Sequence, residues 1–215
     1  MAIKKGTSLA DKISGTNSAD QLFGLAGDDL LFGKGGKDLL YGGAGNDILD
    51  GGKGDDKLYG GAGKDTLIGG LGADKFFGGA GIDTVDYSHA GGTVGVYVAL
   101  DNSEASAQTS LGDTFSGIEN VIGTDFYDYV VGTGQANVLS GGLGNDILSG
   151  RGGADTLNGG EGDDVLRPGN DTAVDHVNGG DGADIVVYDD MNTGVIVNLE
   201  AGTIRRCRCR RAHVD

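Results

Sequence analysis

The chain has 215 residues, of which 45 are glycine, one is proline and none is tryptophan, and its formal charge is −16. No Gly-X-Y period runs through it, which excludes a collagen-like triple helix despite the glycine. Residues 1–204 hold 11 basic and 31 acidic side chains, a formal −20, which excludes nucleic acid and anionic membranes as partners of that body and favours cations.

Residues 1–15 lack the apolar stretch of roughly 7–15 residues that a secretory signal needs. No run of about 18 apolar residues occurs, so no membrane span is predicted. The body before the two cysteines, Cys207 and Cys209, offers neither a disulfide framework nor a thiolate metal site.

From Gly6 the chain divides into nine consecutive blocks of nine residues, ending at Asp86. Clear blocks are GGAGNDILD (42–50), GGKGDDKLY (51–59) and GGAGKDTLI (60–68). Asp holds the sixth place of every block: Asp11, Asp20, Asp29, Asp38, Asp47, Asp56, Asp65, Asp74 and Asp83. The eighth place is always apolar, from Ile13 and Leu22 through Leu58 and Leu67 to Phe76 and Val85. A triplet such as Ile48-Leu49-Asp50 is too short for a helix and suits a strand, whose middle residue alone points inward. The six residues before it must turn the chain, and glycine at places one, two and four allows positive φ and close backbone approach. Two blocks then make one coil of 18 residues, with strands of successive coils about 4.8 Å apart.

Residues 87–122 interrupt the period. VGVYVAL (94–100) reads as a strand, and DTFSGIENVIGT (113–124) leads into a second array. That array starts at Gly123, and its clearest blocks are GGLGNDILS (141–149), GRGGADTLN (150–158) and GGEGDDVLR (159–167). The period breaks near 168–178 and recovers at GGDGADIVV (179–187). Both arrays open with two Gly-Thr blocks, at Gly6 and Gly15 and at Gly123 and Gly132; one opener carries Asn137 in place of Asp. GVIVNL (194–199) reads as a further strand, preceded by Tyr188 as the first interruption is preceded by Tyr87. DDMNTGVIVNLE (189–200) imitates an EF-hand loop, but Met191 and Thr193 stand where ligands are needed, so it is read as a decoy. The end, with five Arg over 205–211, has no apolar periodicity and is expected to be unstructured. The domain reading is a first array at 6–86, a bridging segment at 87–122, a second array at 123–187 and a terminal strand with basic tail at 188–215.

The motif G-G-x-G-x-D-x-U-x, with U a large apolar residue, resembles the RTX (repeats-in-toxin, hemolysin-type) family of calcium-binding nonapeptide repeats. The resemblance implies an all-β fold, a right-handed parallel β-roll (a β-helix solenoid) in two repeat arrays joined by a short non-repeat strand segment. It implies several calcium ions, each between turns of blocks i and i+2. Carried over, the pairs are Asp29 with Asp47, Asp38 with Asp56, Asp47 with Asp65, Asp56 with Asp74 and Asp65 with Asp83, then Asp146 with Asp164. Asp155 and Asp184 complete the metal-ligand set, Asp155 with poorer neighbours because Asn137 and the broken block flank it. Well-matched blocks give about six sites, and counting the openers gives about ten. The resemblance also implies an extracellular protein, exported by a type I route without an N-terminal signal, although the basic tail does not look like a type I signal.

Chemistry points the same way. One coil offers about two apolar side chains to its interior, a thin core against the cost of ordering a glycine-rich chain. Calcium takes 6–8 oxygens and accepts both carboxylates and backbone carbonyls, which these turns supply. The competing reading is that the Asp residues only favour turns and solubility. No catalytic signature emerges: His89, His176 and His213 lie in the interruption, the broken block and the tail, and Gly6-Thr7-Ser8-Leu9-Ala10 is a near miss to a nucleophile elbow inside the first block. The chain is therefore expected to be no enzyme. The functional readings are a stand-alone secreted calcium-binding protein, an accessory module of a larger secreted toxin or hydrolase, or an ice-binding protein. The last lacks a regular row of Thr or Asn at places three and five. Any extracellular polymer or surface partner stays unnamed.

Overall fold

The computed structural model describes residues 1–89, 93–101, 112–169 and 171–188, together with the backbone of 204–209. The described residues contain strands and turns and no helix, so none is long and apolar enough to cross a membrane. The chain winds as a parallel β-roll.

One sheet stacks β1 (Ile3–Lys5), β3 (Gln21–Ala26), β5 (Leu39–Ala44), β7 (Lys57–Gly63), β9 (Lys75–Gly81) and β12 (Thr114–Ser116). The opposite sheet stacks β2 (Lys12–Ser14), β4 (Leu30–Gly35), β6 (Ile48–Lys53), β8 (Thr66–Leu71), β10 (Thr84–Asp86), β13 (Asn120–Ile122), β15 (Val138–Leu143), β17 (Thr156–Glu161) and β19 (His176–Asp181). A third sheet holds β11 (Tyr97–Ala99), β14 (Tyr129–Val131), β16 (Ile147–Ser149), β18 (Val165–Arg167), β20 (Asp184–Tyr188) and β21 (Ile204–Cys209). The second sheet runs without a break through both arrays, because β10 pairs with β13 and β13 with β15.

Within the arrays each residue pairs with the one 18 positions on, as in Leu22 with Leu40 and Leu40 with Leu58. The step is 39 residues from β9 to β12, 36 from β10 to β13 and 20 across the broken block. The eighth-place side chains form the core: Leu22, Leu31, Leu40, Leu49, Leu58, Leu67, Phe76, Val85, Leu139, Leu148, Leu157 and Leu166 are fully buried. Outside the first sheet the ninth places build a ladder, Phe23–Tyr41–Tyr59–Phe77, with ring centroids 4.9, 4.7 and 4.5 Å apart.

Many strands exceed the expected triplet. β6 has six residues because hydrogen bonding continues through the glycine pair, as in Gly52 with Gly70. Places two and four carry the positive φ, for example 122° at Gly43 and 135° at Gly45. Leu25, Lys34 and Arg151 occupy the second place with φ of 87°, 79° and 71°, a conformation that costs an L-residue about 1–2 kcal/mol.

Two expectations change outside the arrays. The strand expected at 94–100 is confined to β11 (Tyr97–Ala99), which pairs with β14 rather than with a strand of the first array. The chain end is not wholly unstructured: Ile204–Cys209 forms β21, parallel to β20, with a register irregularity between Asp184 and Ile185. An open sheet edge offers N–H and C=O groups to any extended backbone, so pairing needs no apolar period. The strand expected at 194–199, the EF-hand-like segment 189–200 and His213 lie outside the described residues.

Candidate metal centre

The sixth-place Asp stands one residue before its strand, except for Asp184, which opens β20, and its side chain is drawn inward. Asp29, Asp38, Asp47, Asp56, Asp65, Asp74, Asp83, Asp146, Asp155, Asp164 and Asp184 are all at most 1% exposed. One oxygen of each is spoken for. The Asp38 N–H donates to Asp56 Oδ1 at 2.7 Å, Asp47 to Asp65 at 2.8 Å, Asp56 to Asp74 at 2.8 Å and Asp146 to Asp164 at 2.7 Å. Asp29 to Asp47 and Asp65 to Asp83 do the same at 2.9 Å. The carboxylates thereby form ladders along the solenoid, one for each sheet. The pairs expected from the spacing are neighbours in these ladders. Asp155 is also in register, accepting from Asn137 at 2.8 Å and donating through its own N–H to Asp175 at 2.9 Å. The broken block therefore absorbs its two extra residues without leaving the ladder.

The other oxygen is the distinctive one. Oδ2 of Asp29, Asp38, Asp47, Asp56, Asp65, Asp83, Asp146, Asp155, Asp164 and Asp184 is buried and has no hydrogen-bond partner. Leaving a buried carboxylate oxygen unsatisfied is costly. Beside it stands a carbonyl of the next coil. A Cβ placed on Gly51 would meet Asp56 Oδ2 at 2.5 Å and the Gly69 carbonyl oxygen at 2.9 Å, which explains why the first place must be glycine. The same pairing recurs at Gly60 with Asp65 and Gly78, and at Gly159 with Asp164 and Gly179. At Gly150 the Pro168 carbonyl takes the glycine's part. Around Gly179 the three nearest atoms all belong to Asp184.

Burial raises these carboxyls. Asp56 and Asp65 are pushed up to about 6 by desolvation, with neighbouring carboxylates adding to it. Asp74, Asp146 and Asp155 are pushed up to about 7 for the same reasons. Asp38, Asp47, Asp83 and Asp164 also move up, desolvation again leading.

The Gly-Thr openers differ, and the sequence pattern alone does not reveal how. Thr16 donates its N–H and its hydroxyl to Asp20 Oδ2, at 2.6 and 2.7 Å. Thr7 does so for Asp11, and Thr133 for Asn137 Oδ1. Thr124 gives its N–H to Asp128 Oδ2 and its hydroxyl to Oδ1. Asp20 is accordingly held below the usual carboxylate range, chiefly by the Ala2 N–H and then the Thr16 hydroxyl. A second-place Thr thus satisfies from within the block the oxygen that stays bare in blocks with Gly, Leu25, Lys34 or Arg151 at that place. The first ladder ends in a similar cap, for the Tyr87 hydroxyl donates to Asp113 Oδ2 at 2.8 Å.

Among the described residues no three His, Cys, Asp or Glu side chains converge as a metal cluster. A cation between coils would therefore take one bare carboxylate oxygen and otherwise backbone oxygens. That donor set suits calcium, which accepts carbonyls and irregular geometry, better than zinc or a thiophilic metal. The sequence model of the RTX calcium-binding nonapeptide repeat matches residues 5–40, 26–58, 50–85, 113–148, 131–166 and 174–190. No curated protein matches the chain. With matches over most of its length, bare carboxylates in 18-residue register and a parallel β-roll around them, the chain belongs to the RTX calcium-binding nonapeptide repeat family, whose repeats imply calcium binding.

Proposed function

We propose that this chain folds on calcium in an extracellular setting, its repeat turns holding an ion wherever a bare Asp Oδ2 faces a carbonyl of the next coil. The ligands in this reading are Asp29, Asp38, Asp47, Asp56, Asp65, Asp146, Asp155 and Asp164. Asp74, whose first-place Gly69 meets the Phe76 ring, and Asp184, in the last fully described coil, are left out of this set. The observation that carries the reading is the set of buried, partnerless Oδ2 atoms. Without a cation, folding leaves those carboxylates dry and repelling one another; with it, binding free energy becomes folding free energy. Low free calcium inside a cell and millimolar calcium outside would then couple folding to export. Export by a type I route fits the repeat family and is part of the proposal.

A purely binding role is favoured over catalysis. Asp86, Ser88 and His89 do meet in an exposed turn, with Ser88 Oγ 2.6 Å from Asp86 Oδ1 and 2.8 Å from His89 Nδ1. There the serine, not the imidazole, contacts the carboxylate, which is the wrong order for an activated nucleophile. The test is far-UV circular dichroism of the full chain during a calcium titration from chelator. The expected result is a disordered spectrum in chelator and strong β signal in millimolar calcium, with magnesium a poor substitute. A spectrum unchanged by chelation would overturn the reading.

A further inference from the structure

The ladder feeding the second sheet does not stop where the repeats stop. After Asp83 the next carboxylate in line is Glu119, 36 residues on and outside any nonapeptide block: the Asp83 N–H donates to Glu119 Oε2 at 2.9 Å. The backbone follows, with the Glu119 and Asn120 N–H groups donating to the Asp83 carbonyl at 3.1 and 2.9 Å. Three residues, Gly117 to Glu119, separate the triplets 114–116 and 120–122, where the repeats put six between successive triplets, and the longer Glu side chain makes up the reach.

Two further features match a repeat gap. Asp83 is fully buried and its Oδ2 has no partner. A Cβ on Gly78 would collide with both Asp83 Oδ2 and the Gly117 carbonyl oxygen, so that carbonyl stands where the repeats place a first-place glycine's. The neighbouring ladder at the same junction lacks these features. There the Cβ position of Gly69 meets Asp74 Oδ2 and the Phe76 ring most closely, and Asp113 Oδ2 already accepts the Tyr87 hydroxyl. The next step along the Glu119 ladder is also closed, because Asn137 Nδ2 donates to the Glu119 carbonyl at 2.7 Å.

We propose that Asp83 Oδ2, the Gly117 carbonyl and Glu119 form one further divalent-cation site, for calcium, at the junction of the two arrays. It rests on the reading that repeat gaps take calcium, and it adds a ligand type and a position the nonapeptide pattern does not contain. Glu119 is only partly buried and its turn is short. The junction site therefore has fewer carbonyls to offer than a repeat gap and fills last.

The experiment counts calcium bound by the full chain, using isothermal titration and native mass spectrometry. Glu119→Gln keeps an oxygen for the Asp83 N–H and removes the charge; Glu119→Lys puts an ammonium into the gap. Asp113→Asn is the control on the capped ladder. The expected result is one ion fewer, or a weakest site weakened at least about tenfold, in both Glu119 variants and the full complement in Asp113→Asn. An unchanged count and affinity in Glu119→Gln would overturn the site, as would an equal loss in Asp113→Asn. Failure of both Glu119 variants to fold in saturating calcium would assign Glu119 to the fold and also overturn it. A wild-type chain that binds no calcium would instead remove the underlying calcium reading.

Discussion

At the scale of single residues, the second place of a block decides what the sixth can do. Threonine there satisfies Asp Oδ2 with an N–H and a hydroxyl, while glycine, or Leu25, Lys34 or Arg151, leaves it bare. Asp56 and Asp11 therefore differ despite holding the same place. Asp56→Ala removes a bare Oδ2 beside the Gly69 carbonyl and also the acceptor for the Asp38 N–H, and an orphaned buried donor costs about 1–3 kcal/mol. Asp11 is tied to Thr7 at the exposed start of its ladder, so Asp11→Ala should cost no more than about 0.5 kcal/mol. Calcium midpoints and denaturant unfolding in saturating calcium should separate the two variants; equal shifts would contradict the distinction between open and capped blocks. The paired Asp positions were legible in the sequence because they recur every nine residues. The hydroxyl caps and Glu119 were not, since the caps follow from hydrogen-bond geometry and Glu119 arrives after a 36-residue step that no period announces.

At the scale of strands and sheets, the coil is held by a single inward side chain per strand and by what stacks outside it. Leu58 is fully buried between Leu40 and Phe76 in register, so Leu58→Ala leaves a void that a one-residue-wide core cannot close. A loss of about 2–5 kcal/mol is expected. Tyr59, next in sequence, faces outward between Tyr41 and Phe77. Tyr59→Ala should cost about 0.5–1.5 kcal/mol for each stack it breaks, less than the core change. Thermal unfolding in saturating calcium ranks the two, and a larger loss at Tyr59 would place the stability outside the roll. The triplets and the 18-residue register were readable from the eighth-place apolar residues. The extension of strands through glycine pairs was not, because glycine disfavours strands on propensity and is tolerated here for close coil-to-coil approach. The placement of β11 beside β14 was equally hidden, as it depends on which face the bridging segment reaches.

At the scale of the whole molecule, the proposed calcium sites set protons and calcium in competition for the same oxygens, and this makes pH a test of the proposal. In the metal-free chain, burial lifts Asp56 and Asp65 to about 6 and Asp74, Asp146 and Asp155 to about 7, against an unfolded value of about 3.9. An acid whose pKa is higher folded than unfolded binds protons preferentially in the folded state. Its contribution is fully present below the unfolded pKa and is lost as pH rises through the folded one. Metal-free chain should therefore gain β structure on acidification from pH 7.5 to about 5.5, a proton doing part of what the cation does. In calcium the trend reverses, since the ligands must be deprotonated to bind, so the calcium midpoint should rise as pH falls over the same window. Asp20, held low by the Ala2 and Thr16 donors, works the other way and is too few among many to cancel the trend. Circular dichroism in chelator and in calcium at several pH values between 5.5 and 7.5 gives both curves. Two curves moving in the same direction would mean that the buried carboxylates are not where calcium and protons meet.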